Sequence, residues 1–249
     1  MEPAICTLAS IPLRREPDLL SEMTSQLLFG EPYLILEDRS PFQRIRSAHD
    51  GYEGWITARQ GEPITAEIFQ SLMEDPPPIL LDLAAAAQLG EQKLHLLRGS
   101  YLPDEINGRQ LRCDGTSIAP QHHELSIENL EQLAGDYLHA PYLWGGRSPF
   151  GIDCSGFTQM IFKFFNLPLP RDSRQQGKVG KPILRFEDAR PGDLAFFFEK
   201  TSHVGLITQE GILHASGFVR HDQLDEIGIR DRDTDECTHE LTCIRRVIC

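Results

Sequence analysis

The chain has 249 residues, of which 40% are hydrophobic and 24% are charged, and its formal net charge is −13 at pH 7. This composition is typical of a globular protein with room for two or three small domains. A surface this acidic disfavours nucleic acid, anionic membranes and acidic wall polymers as partners.

The N-terminal residues and the cysteines bear on the cellular location. Residues 1–6 have neither the basic nor the apolar region of a signal peptide. No stretch approaches the roughly 20 apolar residues that span a bilayer. The six cysteines lack CxxC spacing, which does not suggest a disulfide framework. We therefore expect a cytoplasmic protein in a reducing compartment.

The N-terminal half alternates short apolar runs with turn signals. Residues 1–60 contain several such runs, which predict short strands that form a small barrel. Residues 61–118 are less regular, and three prolines at 76–78 indicate a linker or a domain edge. Two strand-and-turn segments follow the prolines. We interpret residues 61–118 as a second, irregular barrel unit with its linker.

The C-terminal half begins with two predicted helices. The first starts at Ser126, a suitable N-cap, and has an apolar face. That face consists of Ile127, Leu130, Leu133, Ala134, Tyr137 and Leu138. The second starts near Cys154, and Asn166 and Pro168 stop it. Its apolar stripe consists of Phe157, Met160, Ile161, Phe164 and Phe165. After a turn at 190–193, strands are expected at 194–198, 203–208, 211–216 and 241–248.

Cys154 lies at the first turn of the second helix. The unpaired N–H groups and the helix dipole there favour a thiolate over a thiol. A small buried cysteine without chemistry is the alternative.

His203 and His214 lie on the two strands of a predicted hairpin that turns at residues 209–210. An even-length loop places both imidazoles on one face of the sheet. One imidazole can then accept the thiol proton of Cys154 while the other orients it. Packed histidines without chemistry and a zinc site are the alternatives. No fourth zinc ligand stands at suitable spacing, so we expect neither a metal nor a cofactor.

Five segments together resemble the NlpC-type cysteine peptidases, which are papain-like. They are YLWGG at 142–146, DCSGF at 153–157, LPRDS at 169–173, PGDL at 191–194 and HVGL at 203–206. The resemblance implies that Cys154 is the nucleophile, His203 the base and His214 the third polar residue. It also implies cleavage of bacterial cell-wall peptides between γ-D-glutamate and a diamino acid.

Two segments of the N-terminal half are similar to the SH3-like domains of γ-D-glutamyl-L-diamino acid endopeptidases of murein-peptide recycling. They are QLLFGE at 26–31 and DGYEGW at 50–55. In those enzymes this domain closes one end of the active-site groove. The resemblance implies that Glu31 and Tyr52 receive the free α-amine of an N-terminal L-Ala. It assigns further substrate contacts or groove positions to Asp153, Ser155, Asp172, Ser173, Tyr142 and Trp144.

Each of these assignments has a simpler alternative. Asp153 could cap the helix of Cys154, and Tyr52 could belong to the barrel core. Glu31 could be a solvated turn residue, and Asp172 and Ser173 could be the N-cap pair of a short helix. If Asp153 or Glu31 is buried, its charge needs a partner, and a substrate ammonium is one candidate.

The sequence therefore predicts an α+β protein. An SH3-like domain spans residues 1–60, a second SH3-like unit 61–118, and a peptidase domain 119–249 with a helix packed on an antiparallel sheet. The expected activity is that of a cytoplasmic endopeptidase acting on free murein tripeptides or tetrapeptides, without an obligate protein partner. The alternatives are a secreted peptidoglycan hydrolase with wall-binding SH3-like domains, an acyltransferase and a non-catalytic module.

Overall fold

The computed structural model describes residues 1–120, 124–198 and 202–248. The chain divides into two compact units, which are described separately. The first contains residues 1–123, 144–149 and 163–168, and the second contains residues 124–143, 150–162 and 169–249. No helix in the described part of the chain is long and apolar enough to cross a bilayer.

The first unit begins with a seven-stranded antiparallel sheet of order β3-β2-β6-β5-β4-β1-β7. Its strands are β1 (Glu2–Cys6), β2 (Ser10–Arg14), β3 (Met23–Leu28), β4 (Pro32–Arg39), β5 (Phe42–Ser47), β6 (Glu53–Thr57) and β7 (Gly61–Pro63). Alternating residues such as Ile11 and Leu13 of β2 point into one buried cluster, with Tyr33 and Ile45 among their neighbours. The predicted short strands of residues 1–60 are thus present and share one core.

Residues 61–118 add a short helix and a four-stranded sheet of order β10-β9-β12-β11. The remaining elements of this part are α1 (Ala66–Glu74), β8 (Ile79–Leu80), β9 (Ala84–Leu89), β10 (Gln92–Leu97), β11 (Glu105–Ile106), β12 (Arg109–Cys113) and β13 (Ser117–Ile118). Ile5 and Phe29 of the first sheet share a core with Leu89 and Leu96 of the second. The prolines at 76–78 therefore lie inside a compact unit. A complete second SH3-like domain stays a prediction.

The second unit begins with the predicted helix α2 (Ile127–Gly135), in which the Ser126 hydroxyl accepts a hydrogen bond from the Asn129 amide at 3.1 Å. This N-cap is confirmed. Leu138 lies beyond the helix and is 40% exposed, so its predicted place on the buried face is wrong. Two short strands and two helices follow along the chain. They are β14 (Arg147–Ser148), which belongs to the first unit, β15 (Gly151–Ile152), α3 (Cys154–Lys163) and α4 (Ser173–Gln176).

The main sheet of the second unit has eight strands in the order β16-β23-β17-β18-β19-β20-β21-β22. They are β16 (Lys181–Ile183), β17 (Leu194–Phe197), β18 (His203–Thr208), β19 (Gly211–Ser216), β20 (Phe218–Leu224), β21 (Gly228–Arg230), β22 (Cys237–Glu240) and β23 (Cys243–Arg246). The predicted hairpin is confirmed as β18 and β19, with Ile207 opposite Ile212.

One face of this sheet is apolar at one end and carries imidazoles at the other. Because directly paired residues share a face, the register assigns its members. They are Ala195, Phe197, His203, Ile207, Ile212, His214, Asp222, Ile229, His239 and Ile244. The aliphatic members and Phe197 form one buried cluster. This cluster supports the strands on which the imidazoles sit.

Candidate active site

Cys154 is the first residue of α3 and is only 6% exposed. Its Sγ donates to the carbonyl oxygen of Ser202, 4.0 Å away, directly before His203 in the chain. Burial, and then the charge of Asp153, raise the pKa of the Cys154 thiol to about 12. The expectation that the helix start favours a resting thiolate is therefore wrong. Desolvation and the Asp153 charge outweigh the backbone hydrogen bonds and the Arg171 charge that favour the thiolate, so the thiol needs a base.

His203, the predicted base, and His214, its predicted partner, lie on one face of the sheet. Gly205 pairs directly with His214, and His203 lies two residues away on the same face. The two rings meet with Nε2 of His203 2.8 Å from Nδ1 of His214. A Cβ atom on Gly205 would lie 2.6 Å from Cδ1 of Ile212 and 3.0 Å from Cβ of His214, so a larger residue there would displace these two side chains. These facing nitrogens share a hydrogen bond instead of pointing at a common metal position.

Asp222 extends this pair to a third strand. Its Oδ2 lies 2.9 Å from Nε2 of His214, and Arg220 and the Arg232 amide bond its Oδ1 at 2.8 and 3.1 Å. Burial alone would raise the pKa of Asp222, but the hydrogen bonds from His214 and Arg220 lower it to about 2. Asp222 is therefore ionised at neutral pH.

The ionised carboxylate determines the tautomers of both imidazoles. Because Asp222 accepts, His214 carries its proton on Nε2 and accepts on Nδ1. His203 must then donate from Nε2, which leaves its Nδ1 as the basic nitrogen. Burial, and then the nearby His214 and His239, keep the pKa of His203 well below its ordinary value. His203 is thus neutral and able to accept the thiol proton of Cys154.

The sequence contains a signal for Asp222, although this residue lies outside the five segments that resemble the family. β19 and β20 are joined through Gly217, and His214 pairs with Arg220. Residue 222 is two positions further along, so the strand period places it on the face of His214. The chain of groups His203, His214 and Asp222 consequently crosses three neighbouring strands.

Two family profiles match the chain. The NlpC/P60 family matches residues 139–246, and the bacterial dipeptidyl-peptidase SH3 domain matches residues 13–60. The gamma-D-glutamyl-L-lysine dipeptidyl-peptidase of Bacillus subtilis (strain 168) is 31% identical over 218 residues, which are 77% of this chain and 71% of that protein. The chain belongs to the NlpC/P60 family. It is a cysteine peptidase with an N-terminal SH3-like domain.

Two further comparisons agree with this assignment. Dipeptidyl-peptidase 6 of Lysinibacillus sphaericus is 27% identical over 245 residues, which are 82% of this chain and 84% of that protein. The crystal structure of an NlpC/P60 family protein from Bacillus cereus ATCC 10987 matches with a TM-score of 0.83 and 21% identity, over 100% of both chains. This structural likeness supports the predicted fold.

Asp153, next to the predicted nucleophile of this NlpC/P60 peptidase, makes two kinds of structural contact. Its Oδ1 accepts from the Gly156 amide at 2.7 Å, which caps α3, as the simpler interpretation predicted. Arg171 donates hydrogen bonds to both carboxylate oxygens of Asp153, at 2.9 and 2.6 Å, and to the Ser155 hydroxyl at 3.0 Å. A protein cation thus pairs with Asp153. Arg171 therefore takes the place of the substrate ammonium that was one candidate partner for this charge.

Three more predicted substrate residues lie in the second unit. The hydroxyls of Ser173 and Ser202 are 2.5 Å apart, so Ser173 lies beside the residue whose carbonyl accepts from Cys154. Asp172 is exposed at the N-cap of α4, without a capping bond from its side chain. Burial, and then the charges of Cys154 and Asp153, raise the pKa of Tyr142. The charges of Cys154 and Asp153 thus act on Tyr142, and the substrate role of Ser173, Asp172 and Tyr142 stays a prediction.

The remaining predicted residues lie in the first unit. Trp144 is 58% exposed, and its Nε1 donates to a Glu22 carboxylate oxygen at 2.7 Å. Tyr52 is half-buried against the core of the first sheet. Glu31 is completely buried, so its interpretation as a solvated turn residue is wrong.

The carboxylate of Glu31 is bonded by cations of its own unit. Arg147 donates to both oxygens at 2.8 and 2.9 Å, and Lys163 donates at 2.6 Å. Burial alone would raise the pKa of Glu31, but these two cations hold it well below its ordinary value. As with Asp153, the charge is balanced without a substrate ammonium. Recognition of a substrate amine by Glu31 stays a prediction. The argument that its buried charge lacks a partner no longer supports it.

Proposed function

We propose that this peptidase hydrolyses the γ-D-glutamyl bond to a diamino acid in free murein peptides, and that it requires an unblocked N-terminal L-Ala. The observation that carries the proposal is the similarity to the Bacillus subtilis gamma-D-glutamyl-L-lysine dipeptidyl-peptidase over 77% of this chain. The name of that relative states both the bond and the release of a dipeptide from one end.

The chemistry of the second unit supports a peptide-cleaving role. His203 takes the thiol proton of Cys154 on Nδ1 as the sulfur attacks the γ-glutamyl carbonyl carbon. The imidazolium that forms is stabilised through His214 by the anion of Asp222. The same proton is then available for the leaving amine of the diamino acid, and water hydrolyses the acyl-enzyme.

Polar groups near the nucleophile support recognition of the dipeptide part. Ser155 and Ser173 are each about 6% exposed, and their hydroxyls can form hydrogen bonds with amide groups of the substrate. The net charge of −13 disfavours acidic wall polymers and supports cytoplasmic recycling of free peptides. Hydrolysis of intact wall by a secreted enzyme is the competing function.

The test compares L-Ala-γ-D-Glu-L-Lys and L-Ala-γ-D-Glu-diaminopimelate, each with a free and an acetylated N-terminus, and polymeric peptidoglycan. Mass spectrometry of the products identifies the cleaved bond. We expect acetylation to lower kcat/KM about 10- to 150-fold, since losing a charge-assisted hydrogen bond costs about 1.5–3 kcal/mol. Equal cleavage of both forms, or efficient release from polymer, would overturn the proposal in favour of the wall hydrolase. Fractionation of the source cells separates the same two functions.

A further inference from the structure

A third imidazole lies flat on the catalytic base. The ring of His239 stacks on that of His203 with centroids 4.3 Å apart and planes 26° apart. His239 also meets the edges of His214 and Phe197 at 5.9 and 6.0 Å. Phe197 lies 5.9 Å from His203 at 43°. The ring of His203 is therefore enclosed by three other rings.

The curl of the main sheet brings His239 to this place. Its strand β22 is the edge strand, four positions from β18 in the hydrogen-bonded order. However, only Leu241 and Thr242 join β22 to β23, which pairs with β17. The amide of Thr242 donates to the carbonyl of Phe196 at 2.8 Å. One edge of the sheet thus returns to strands near the other edge, and His239 arrives over the face of His203.

We propose that His239 is a positioning residue for the base of this peptidase. The outer torsion of a histidine side chain is broad, so one hydrogen bond to His214 fixes a single ring atom but leaves the ring plane free to tilt. The stacked imidazole restricts that tilt, and the Thr238 hydroxyl, 3.0 Å from Nδ1 of His239, orients the stacked ring in turn. The flat ring of His239, rather than its nitrogens, fixes the plane of the His203 ring and with it the direction of Nδ1.

The proposal predicts which replacements preserve activity. His239→Phe retains a flat ring of similar size, and we expect kcat within about 3-fold of wild type. His239→Ala and His239→Leu remove the flat ring, and we expect kcat to fall about 10- to 100-fold with KM nearly unchanged, as for a misplaced catalytic group. His221→Ala is the matched control. His221 is a half-buried histidine on β20 that pairs with Leu213 and so faces the other side of the sheet.

A second readout does not depend on the substrate. The kinetic arm with L-Ala-γ-D-Glu-L-Lys rests on the proposed function, whereas iodoacetamide alkylation of Cys154, followed by peptide mass spectrometry, does not. Because the thiol needs His203 to lose its proton, alkylation should slow about 10-fold in His239→Ala and His239→Leu but not in His239→Phe or His221→Ala.

The outcomes distinguish three roles of His239: positioning by its flat ring, an action of its ring nitrogens, and a contribution to folding alone. Thermal unfolding of every variant shows whether it folds. If His239→Ala does not fold, the comparison of His239→Phe with His239→Leu still tests the proposal. If His239→Phe loses as much kcat and alkylation rate as His239→Leu, a nitrogen of His239 matters and the proposal is overturned. If His239→Leu retains both rates, the stack has no role in positioning and the proposal also fails.

Discussion

Two buried carboxylates of this molecule are held by similar contacts but serve different ends. In the first unit, Glu31 is bonded by Arg147, Lys163 and the Leu28 amide, the last at 2.9 Å. In the second unit, Asp222 is bonded by Arg220 and the Arg232 amide and by an imidazole. Both pKa values are lowered, since their partners outweigh desolvation.

The difference lies in where each set of hydrogen bonds ends. The bonds of Glu31 end at the Arg147 guanidinium, the Leu28 amide and Lys163, whose pKa burial lowers to about 8. None of these three groups belongs to the predicted catalytic residues. The bonds of Asp222 continue through His214 to His203, an imidazole that can take up and return a proton. In this molecule, burial and a lowered pKa are common to both carboxylates, and the hydrogen bonds to the two imidazoles are what distinguish Asp222.

The largest effect should come from removing the predicted nucleophile or the predicted base. Cys154→Ala should abolish turnover, and His203→Ala should lower kcat on the order of 10⁴-fold, because the buried thiol then has no base. His214→Ala should retain more activity, since orientation rather than proton transfer is lost. Steady-state kinetics and thermal unfolding on the same samples measure this. Substantial turnover by Cys154→Ala would remove it as the nucleophile.

The next effect should come from neutralising Asp222. Asp222→Asn presents an amide to His214, which changes the tautomers and removes the anion, and we expect kcat to fall on the order of 10²- to 10⁴-fold. Asp225→Asn is the control, because Asp225 is a carboxylate of the same unit that pairs with Arg230 near the surface. Activity of Asp222→Asn within about 3-fold of wild type would show that the His203–His214 pair acts without the carboxylate.

The smallest effect on catalysis should follow from neutralising Glu31. Glu31→Gln leaves Arg147 and Lys163 buried without an anion, so we expect about 3–5 kcal/mol of lost stability and an unchanged kcat/KM per folded molecule. Glu62→Gln is the control, since Glu62 pairs with Arg109 at a site where both side chains are 33% exposed. Urea unfolding measures the loss of stability. Steady-state kinetics, normalised by active-site titration, give kcat/KM per folded molecule.

This expectation reverses the one drawn from the sequence resemblance. If Glu31 received the substrate amine, Glu31→Gln would lower kcat/KM for the free peptide and leave the melting temperature nearly unchanged. That result would restore the amine-binding role and weaken the contrast between the two carboxylates.

Local rules were sufficient to predict the centre of the candidate active site. The facing of His203 and His214 follows from a two-residue turn and the strand period, both readable from neighbouring residues. Asp222 was accessible by the same rule across one more strand. The start of α2 at Ser126 likewise depends on a cap within one helical turn.

Long-range packing decided the remaining features. Glu31 meets Arg147 and Lys163 across 116 and 132 positions of sequence, and no periodicity links them. His239 reaches His203 because the sheet curls, which its strand pattern alone does not reveal. The same holds for the thiol of Cys154. The sequence places it at a helix start, but the amount of surrounding protein sets its pKa, because desolvation depends on every neighbour and not on chain order.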